Sequence, residues 1–212
     1  MSFVVRGDGN AAVVHLIDAD AALRAALARL LSAAGYQVRA HARGGDYLRR
    51  DAEDAPGCLL LDLHLPDIGG LELQARLTQD PTLQRPIVFL AGGADVRASV
   101  QAMRAGACEF LTKPVEPQRL LAAVAEAVAR DGEARERRRR TRHTQRLVDS
   151  LGQRQRRVLD GIVAGRLYKQ LAVEFGVSER TIKLDRAHVM QRLGVRNLPA
   201  LMKVLIEAER FA

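Results

Sequence analysis

A short apolar segment that ends in a single carboxylate constrains the fold of this chain more than any other feature. Residues 59–61 are three consecutive leucines, too few for a helix, and Pro56 and Gly57 precede them. An apolar run bounded in this way is typical of a strand buried on both faces of a parallel sheet. Asp62 follows the run, and Pro66 then interrupts the chain. Because ligands of open parallel sheets bind at the carboxyl ends of the strands, Asp62 is a candidate nucleophile or metal ligand. A solvated loop residue is the alternative.

Strand and helix patterns alternate along the first 130 residues. Short apolar runs are separated by segments in which apolar residues recur at helical spacing. This alternation predicts an α/β fold built on a doubly wound, five-stranded parallel sheet. The predicted strands are Val13–Ile17, one from Val38, 59–61, 87–90 and 109–111, and the predicted helices are 21–34, 46–51, 71–79, 96–105 and one from Pro117.

The charge is unevenly distributed along the chain. Residues 1–130 contain 14 Lys and Arg against 15 Asp and Glu, whereas residues 131–212 contain 19 against 10. We therefore predict two domains, over 11–130 and 149–212, joined by a basic helical linker over 131–148. The basic charge of the second part predicts a polyanion as its partner. The linker itself is either a solvated connector or a segment that contacts phosphates or a second copy.

The C-terminal part shows the pattern of four short amphipathic helices. They are predicted over 154–164, Tyr168–Phe175, from Ser178 onward, and over 198–212. Gly176 favours a tight turn, and Ser178 is a good N-cap for the helix that follows it. A helix, a tight turn and a capped helix form a helix-turn-helix, whose second helix enters the major groove of DNA. We expect an all-α helix-turn-helix domain here.

Residues at the predicted strand ends match a known pattern. Asp62, Pro66 and Gly70 have the spacing of a phosphoacceptor loop, Asp18 follows the first strand, and Lys113-Pro114 follows the fifth. On these residues, the segment 13–130 resembles a bacterial receiver domain. With its C-terminal half, the whole chain resembles a NarL/FixJ-type response regulator.

This resemblance implies roles for four residues. Asp62 is the expected phosphoacceptor, and Asp18 and Asp62 are the expected ligands of Mg²⁺. Lys113 is expected to contact the phosphoryl group, and Phe110 stands at the aromatic switch position, with a purely structural core role as the alternative. A histidine kinase is the implied source of the phosphoryl group.

The sequence departs from the receiver pattern at two positions. Ala19 stands where the family has a second metal-binding acid, and Ala91 stands where it has a Ser or Thr. Mg²⁺ is held by carboxylates, phosphates and water in a strict octahedron, so weak Mg²⁺ binding is expected. Ala91 has no hydroxyl that could bind a phosphoryl oxygen. Asp20, one residue beyond Ala19, is expected to cap the helix from Ala21 rather than replace the missing acid.

The C-terminal half resembles the LuxR-type DNA-binding domain over most of its length. The matching residues are Gly165, the segment 169–172, the segment 177–183, Arg186, Val189, Met190 and Leu193. The resemblance implies that the groove-facing residues are Lys183, Leu184 and Ala187, and that the phosphate-contacting or flanking residues are Lys169, Arg180, Thr181 and Arg186. Without it, a solvated basic face is an equal alternative.

Two departures affect this second domain. Gln155 replaces a Glu that is usual in the family, and Asp185 replaces a His. A carboxylate beside phosphates is repulsive, so Asp185 is expected to turn away, to pair with a neighbouring Arg, or to accept from a cytosine amino group.

The final helix has two alternative roles. In the family it mediates dimerisation, here through Leu201, Val204 and Leu205, which implies a homodimer on DNA. The same residues can equally cover the core of one copy.

Two functions remain compatible with the sequence. One is a DNA-binding regulator with an atypical receiver, controlled without conventional Mg²⁺-dependent phosphorylation. The other is an ordinary regulator activated at Asp62. An aspartate-nucleophile phosphatase is excluded, because such enzymes need a second Asp where this chain has His64. No enzyme activity and no membrane segment are expected, and the location is expected to be cytoplasmic.

Overall fold

The computed structural model describes residues 12–49, 55–80, 84–93 and 95–209, with side chains described as far as residue 206. The chain divides into two compact units, residues 1–135 and 136–212. Three parts of the predicted elements lie outside the described residues: residue 11, residues 50 and 51 of the second predicted helix, and residues 210–212 of the last one.

The first unit contains five strands and five helices among its described residues. The strands are β1 (Val13–Ile17), β2 (Gln37–His41), β3 (Gly57–Asp62), β4 (Ile87–Gly92) and β5 (Glu109–Lys113). The helices are α1 (Ala21–Ala33), α2 (Gly44–Leu48), α3 (Gly70–Gln79), α4 (Val96–Arg104) and α5 (Pro117–Asp149), the last of which continues into the second unit.

The strands form one parallel sheet in the order β2-β1-β3-β4-β5. Helices α1 and α5 cover one face, where Leu27, Leu31 and Leu120 pack against strand residues such as Leu60. Helices α2, α3 and α4 cover the other face, with Tyr47 and Leu73 among the packed side chains. All six residues of β3 are buried, which explains the uninterrupted apolar run over residues 57–61 that precedes Asp62. The predicted doubly wound sheet is confirmed.

Helix α2 begins earlier than the sequence predicted, at Gly44 instead of residue 46. The Asp67 carboxylate accepts hydrogen bonds from the Gly44 N–H at 3.1 Å and from the Gly45 N–H at 2.8 Å. These are among the N–H groups that have no partner within a helix. Since the cap comes from the loop after β3, local sequence gave no sign of it.

The second unit contains four more helical segments after α5 among its described residues. They are α6 (Gln153–Val163), α7 (Tyr168–Phe175), α8 (Glu179–Arg192) and α9 (Leu198–Glu209). Their apolar faces meet in one core, which includes Leu159, Leu171, Ile182 and Val189. The predicted linker over 131–148 belongs to the continuous helix α5.

A buried ionic cluster ties α5 to the amino edge of the sheet. Asp131 Oδ2 accepts from the Gly57 N–H at 2.9 Å and from Arg135 Nε at 2.7 Å. Arg85 Nη1 lies 3.9 Å from the same oxygen, and the Arg85 and Asp131 side chains are only 3% and 2% exposed. Because a buried charge must be compensated by partners, this carboxylate fixes the register of α5 on the sheet.

We expect Asp131→Ala to reduce the free energy of unfolding of the first unit by about 3 kcal/mol, because it removes one partner of a buried ion pair. Asp131→Asn keeps an acceptor for the Gly57 N–H and should cost less. Native-state hydrogen exchange of the β3 and α5 amides measures both changes. The control is Arg76→Ala, which breaks an exposed pair with Glu72 and should cost less than about 1 kcal/mol. Equal effects of Asp131→Ala and the control would contradict the assigned role.

Candidate functional site

The carboxyl edge of the sheet brings three charged side chains together. Lys113, the last residue of β5, places its Nζ 2.7 Å from Asp18 Oδ2 and 2.9 Å from Asp62 Oδ2. Asp18 follows β1 and is fully buried, whereas Asp62, at the end of β3, keeps slight exposure. All five strands run parallel, so the carboxyl ends of β1, β3 and β5 lie at the same edge of the sheet. Residues that are 44 to 95 positions apart in sequence therefore meet there.

The protonated form of Lys113 is favoured at this edge. Partial burial on its own lowers the pKa of an ammonium group, but here the hydrogen bonds and charges of Asp18 and Asp62 outweigh it and raise the pKa of Lys113. The lysine therefore stays charged at neutral pH and bridges the two carboxylates.

The loop after Asp62 depends on Gly70, which lies eight residues further along the chain. The Gly70 N–H donates to the Leu63 carbonyl at 2.9 Å, and a Cβ on Gly70 would lie 2.6 Å from the Asp62 carbonyl oxygen. A side chain here would force this loop away from α3. Asp62 Oδ1 also accepts from the His64 N–H at 3.2 Å, which holds the carboxylate in place.

The two alanines lie where oxygen donors were expected. Ala91 is fully buried in β4, and Ala19 follows Asp18 directly. Asp20 caps α1: its Oδ1 accepts from the Ala22 and Leu23 N–H groups, and these bonds lower the pKa of its carboxyl. The expectation that Asp20 caps the helix is confirmed.

The donors at this edge do not fit a complete Mg²⁺ site. Among the described residues, no group of three or more His, Cys, Asp and Glu side chains could hold a metal ion. The two carboxylates that are present, on Asp18 and Asp62, turn one oxygen each towards Lys113. Mg²⁺ prefers carboxylate and water oxygens in a near-ideal octahedron, and this edge lacks the second acid of the receiver pattern because Ala19 stands in its place.

Phe110 is half-buried beside this edge. Its ring stacks on Phe89 of β4, with the ring centroids 6.1 Å apart. Phe110 thus packs against the core formed with α3 and α4.

The second candidate site is the exposed face of α8. Gly176 ends α7 in a left-handed conformation with φ of 63°, and the Ser178 hydroxyl accepts from the Thr181 N–H at 3.2 Å to cap α8. Ile182 and Val189 face the core. The opposite side of the helix carries exposed side chains, namely Arg180, Lys183, Leu184, Ala187, His188 and Gln191.

Most residues that were expected to contact DNA are accessible. Arg180, Lys183, Leu184 and Ala187 are exposed on α8, and Lys169 is exposed on α7. Thr181 and Arg186 are half-buried at the sides of α8.

Asp185 lies on the core side of α8 and is paired with an arginine from α6. Arg154 Nη2 donates to Asp185 Oδ1 at 3.0 Å, and Arg154 Nε lies 2.8 Å from Asp185 Oδ2. Of the three expected arrangements, the structure shows two together: the Asp185 carboxylate turns away from the exposed side of α8 and pairs with a neighbouring arginine. Arg154 could not be predicted as the partner of Asp185 from the sequence. Several arginines were available, and only the packing of α6 against α8 brings this one next to the carboxylate.

The predicted dimerisation residues of α9 differ in accessibility. Leu201 is fully buried in the core of its own unit, so it is not a surface contact. Leu205 packs against the same core, Val204 is half-buried, and Ile206 is exposed.

Comparisons with known proteins match both halves of the chain. Residues 14–125 match the family model described as response regulator receiver domain, and residues 149–205 match that described as bacterial regulatory proteins, luxR family. Nodulation protein W of Bradyrhizobium diazoefficiens is 34% identical over 193 residues, which cover 91% of this chain and 85% of the relative.

Two solved structures of response regulators are similar over nearly the whole chain. The structure of the response regulator StyR is 35% identical, has a TM-score of 0.81, and is matched over 93% of this chain and 100% of its own. Full-length FixJ from B. japonicum is 33% identical, with a TM-score of 0.55 over 94% and 98% of the two chains.

No helix in the part of the chain that the structure describes combines the length and the apolar character needed to cross a bilayer.

The geometry of the α6–α8 ion pair predicts an asymmetric response to mutation. Arg154→Ala leaves the buried Asp185 carboxylate without its cation, and we expect a loss of about 2 kcal/mol in the unfolding free energy of the second unit. Asp185→Asn should cost less, because the Arg154 side chain is 54% exposed and water can solvate it. Amide exchange in α8 gives both values.

The matched control is Arg156→Ala, which breaks a pair with Asp149 in which both side chains are about half exposed. A change below about 1 kcal/mol is expected there. If Arg154→Ala were as mild as this control, the buried pair would not hold α8 in place.

Proposed function

The chain belongs to the two-component response regulators that join a receiver domain to a LuxR-type DNA-binding domain, and we propose that its receiver works without conventional Mg²⁺-dependent phosphorylation. As a DNA-binding response regulator it is not an enzyme. The receiver then serves as a constant dimerisation or docking surface of the regulator.

The observation that carries the proposal is the pair Ala19 and Ala91. A phosphoryl group on Asp62 would find neither a second carboxylate to complete a metal bridge nor a hydroxyl on β4. Three partners of the phosphoryl group are expected in a receiver: the metal ion, a hydroxyl on β4 and the lysine after β5. Of these, only Lys113 would remain at full strength.

A comparison of free energies also favours control without phosphorylation. A ligand switches a protein only by the difference in its affinity for two conformations. A hydrogen bond to a charged group contributes about 1.5–3 kcal/mol, whereas moving an equilibrium from 1:99 to 99:1 takes about 5.5 kcal/mol. Loss of the hydroxyl contact and weakening of the metal bridge leave too little differential affinity to drive a full switch.

The second candidate is an ordinary regulator that a histidine kinase activates at Asp62. Receiver domains generally bind Mg²⁺ for phosphorylation, and one observation favours this candidate here. Asp18, Asp62 and Lys113 retain a close arrangement, with Lys113 Nζ within 2.9 Å of both carboxylates. In this candidate Asp62 is the nucleophile, and Lys113 neutralises charge on the phosphoryl oxygens.

The DNA-binding part of the proposal rests on α8. Double-stranded DNA is the partner, with the exposed side of α8 in the major groove and Lys169, Arg180, Thr181 and Arg186 at or near phosphates. A homodimer on DNA is part of the proposal, with contacts through the half-buried side chains of Val204 and Leu205 on α9. As a DNA-binding regulator, the protein is proposed to act in the cytoplasm.

We expect no accumulation of phosphoryl-Asp62 when the full-length protein is incubated with acetyl phosphate and Mg²⁺ under conditions that label an ordinary receiver. Ala19→Asp supplies the missing carboxylate, so it should raise both the Mg²⁺ affinity and the labelled fraction at least tenfold. Intact-mass measurement detects the phosphoryl group. Asp20→Ala is the control and should change neither quantity, since Asp20 caps α1. Rapid stoichiometric labelling of the unaltered protein would contradict the proposal.

We also expect Asp62→Asn and Asp62→Ala to leave operator binding and the mass in solution within twofold of wild type. The proteins are to be produced in cells with their kinases intact, so that any native phosphorylation is included. Lys183→Ala, which alters the groove side of α8, serves as a positive control for loss of binding. A tenfold or larger loss in both Asp62 variants, with the fold preserved, favours the phosphorylation-activated candidate.

A further inference from the structure

The exposed side of α8 carries an apolar strip between cationic residues. The strip consists of Leu184 and Ala187, three positions apart and therefore on one face of the helix. Leu184 is 53% exposed. Lys183 precedes Leu184, and Arg180 lies four positions before it on the same face.

We propose that the apolar strip, Leu184 and Ala187, recognises the 5-methyl groups of thymines in the major groove, next to a guanine that Lys183 contacts. This inference rests on the proposed DNA-binding function and deepens it, because it names the bases that α8 reads. It assigns sequence preference to the strip and leaves phosphate contacts to the surrounding cations.

Leu184 does not belong to the core that the described residues of the second unit form. The core of the second unit takes Ile182, Val189 and Met190 from α8, and these lie on the opposite side of the helix. A single exposed leucine is ordinary on a protein surface. What distinguishes Leu184 is its place on the face where positive charge indicates a nucleic-acid partner.

Thymine is the base whose chemistry matches an apolar side chain. In the major groove, cytosine and adenine present amino groups that require acceptors, and guanine presents two acceptors. Thymine alone presents a methyl group. An aliphatic side chain over the other bases would leave a polar group without a partner, which is unfavourable.

Asp185 does not interfere with this recognition. A carboxylate on the groove side would accept from a cytosine amino group and repel phosphates. Asp185 is instead 5% exposed and paired with Arg154. The strip is therefore free of negative charge, and cytosine recognition by this residue is excluded in this conformation.

Lys183 adds the second part of the preference. A lysine ammonium is a donor with no acceptor, and the O6 and N7 atoms of guanine are its best major-groove partners. Because Lys183 is adjacent to Leu184 in sequence, the guanine is expected next to a thymine or one base pair away.

The test begins with the full-length protein and a pool of randomised duplexes. The enriched duplexes should carry a guanine beside thymines in each half-site, and their binding should weaken steeply with salt because phosphate contacts release counterions. Replacing each of these thymines by uracil removes only the methyl group. We expect a loss of about fourfold in affinity at one or two thymines, the value for one buried carbon group.

The protein variant that completes the test is Leu184→Ala. It should bind the thymine duplex more weakly and should no longer distinguish thymine from uracil, as in a double-mutant cycle for a direct contact. Val173→Ala is the matched control, because Val173 is an apolar residue of α7 that is 79% exposed. This control should retain the full sensitivity to uracil.

The outcomes separate the inference from the proposed function. If no duplex is enriched and salt-dependent binding is absent, the DNA-binding proposal fails. If DNA is bound but uracil replaces thymine without loss, the inference fails and the DNA-binding function stands. The inference also fails if Leu184→Ala keeps the uracil sensitivity of wild type. The uracil measurement on wild type needs no variant, so a misfolded variant cannot obscure the result.

Discussion

Burial of β3 on both faces is the constraint on which the first unit depends. A strand without a solvated face requires helices on both sides, and the helical crossover connections between parallel strands supply them. Every residue of β3 is buried, and the neighbouring strands β1 and β4 are almost as apolar. The first place where this strand can carry a charge is its carboxyl end, at Asp62.

One lysine offsets part of the negative charge of two carboxylates at that edge. Lys113 bridges Asp18 and Asp62, and the two carboxylates raise the pKa of the lysine in spite of its partial burial. A receiver with a second acid and a hydroxyl has further groups that respond when a phosphoryl group arrives. Ala19 and Ala91 offer no polar side-chain atoms here, and in the proposed function a phosphoryl group on Asp62 would therefore have fewer contacts with which to favour one conformation.

In the second unit, the unfavourable charge is the carboxylate of Asp185, and an ion pair inside the unit neutralises it. Asp185 lies on the helix that is expected to approach phosphates, yet its carboxylate is directed towards the core and is held by Arg154 of α6. This pair joins two helices of the core and also keeps the outer side of α8 cationic and apolar. Packing within the unit thereby shapes the surface that is proposed to meet DNA.

The sequence by itself determined the succession of strands and helices along the chain, the two-part organisation and the residues at the strand ends. Periodicity of apolar residues, caps such as Ser178 and turns such as Gly176 are local signals, and local signals survive in a sequence. Tertiary structure alone decided the partners of the charges that pair across the fold. Arg154 was selected for Asp185, Gly57 and Arg85 for Asp131, and Asp67 for the start of α2, in each case across at least 22 positions of sequence. It also decided that Leu201 belongs to the core of one copy. The physical reason is that a charge or an apolar face is satisfied by whatever the fold brings near it, and that proximity has no local signature in the chain.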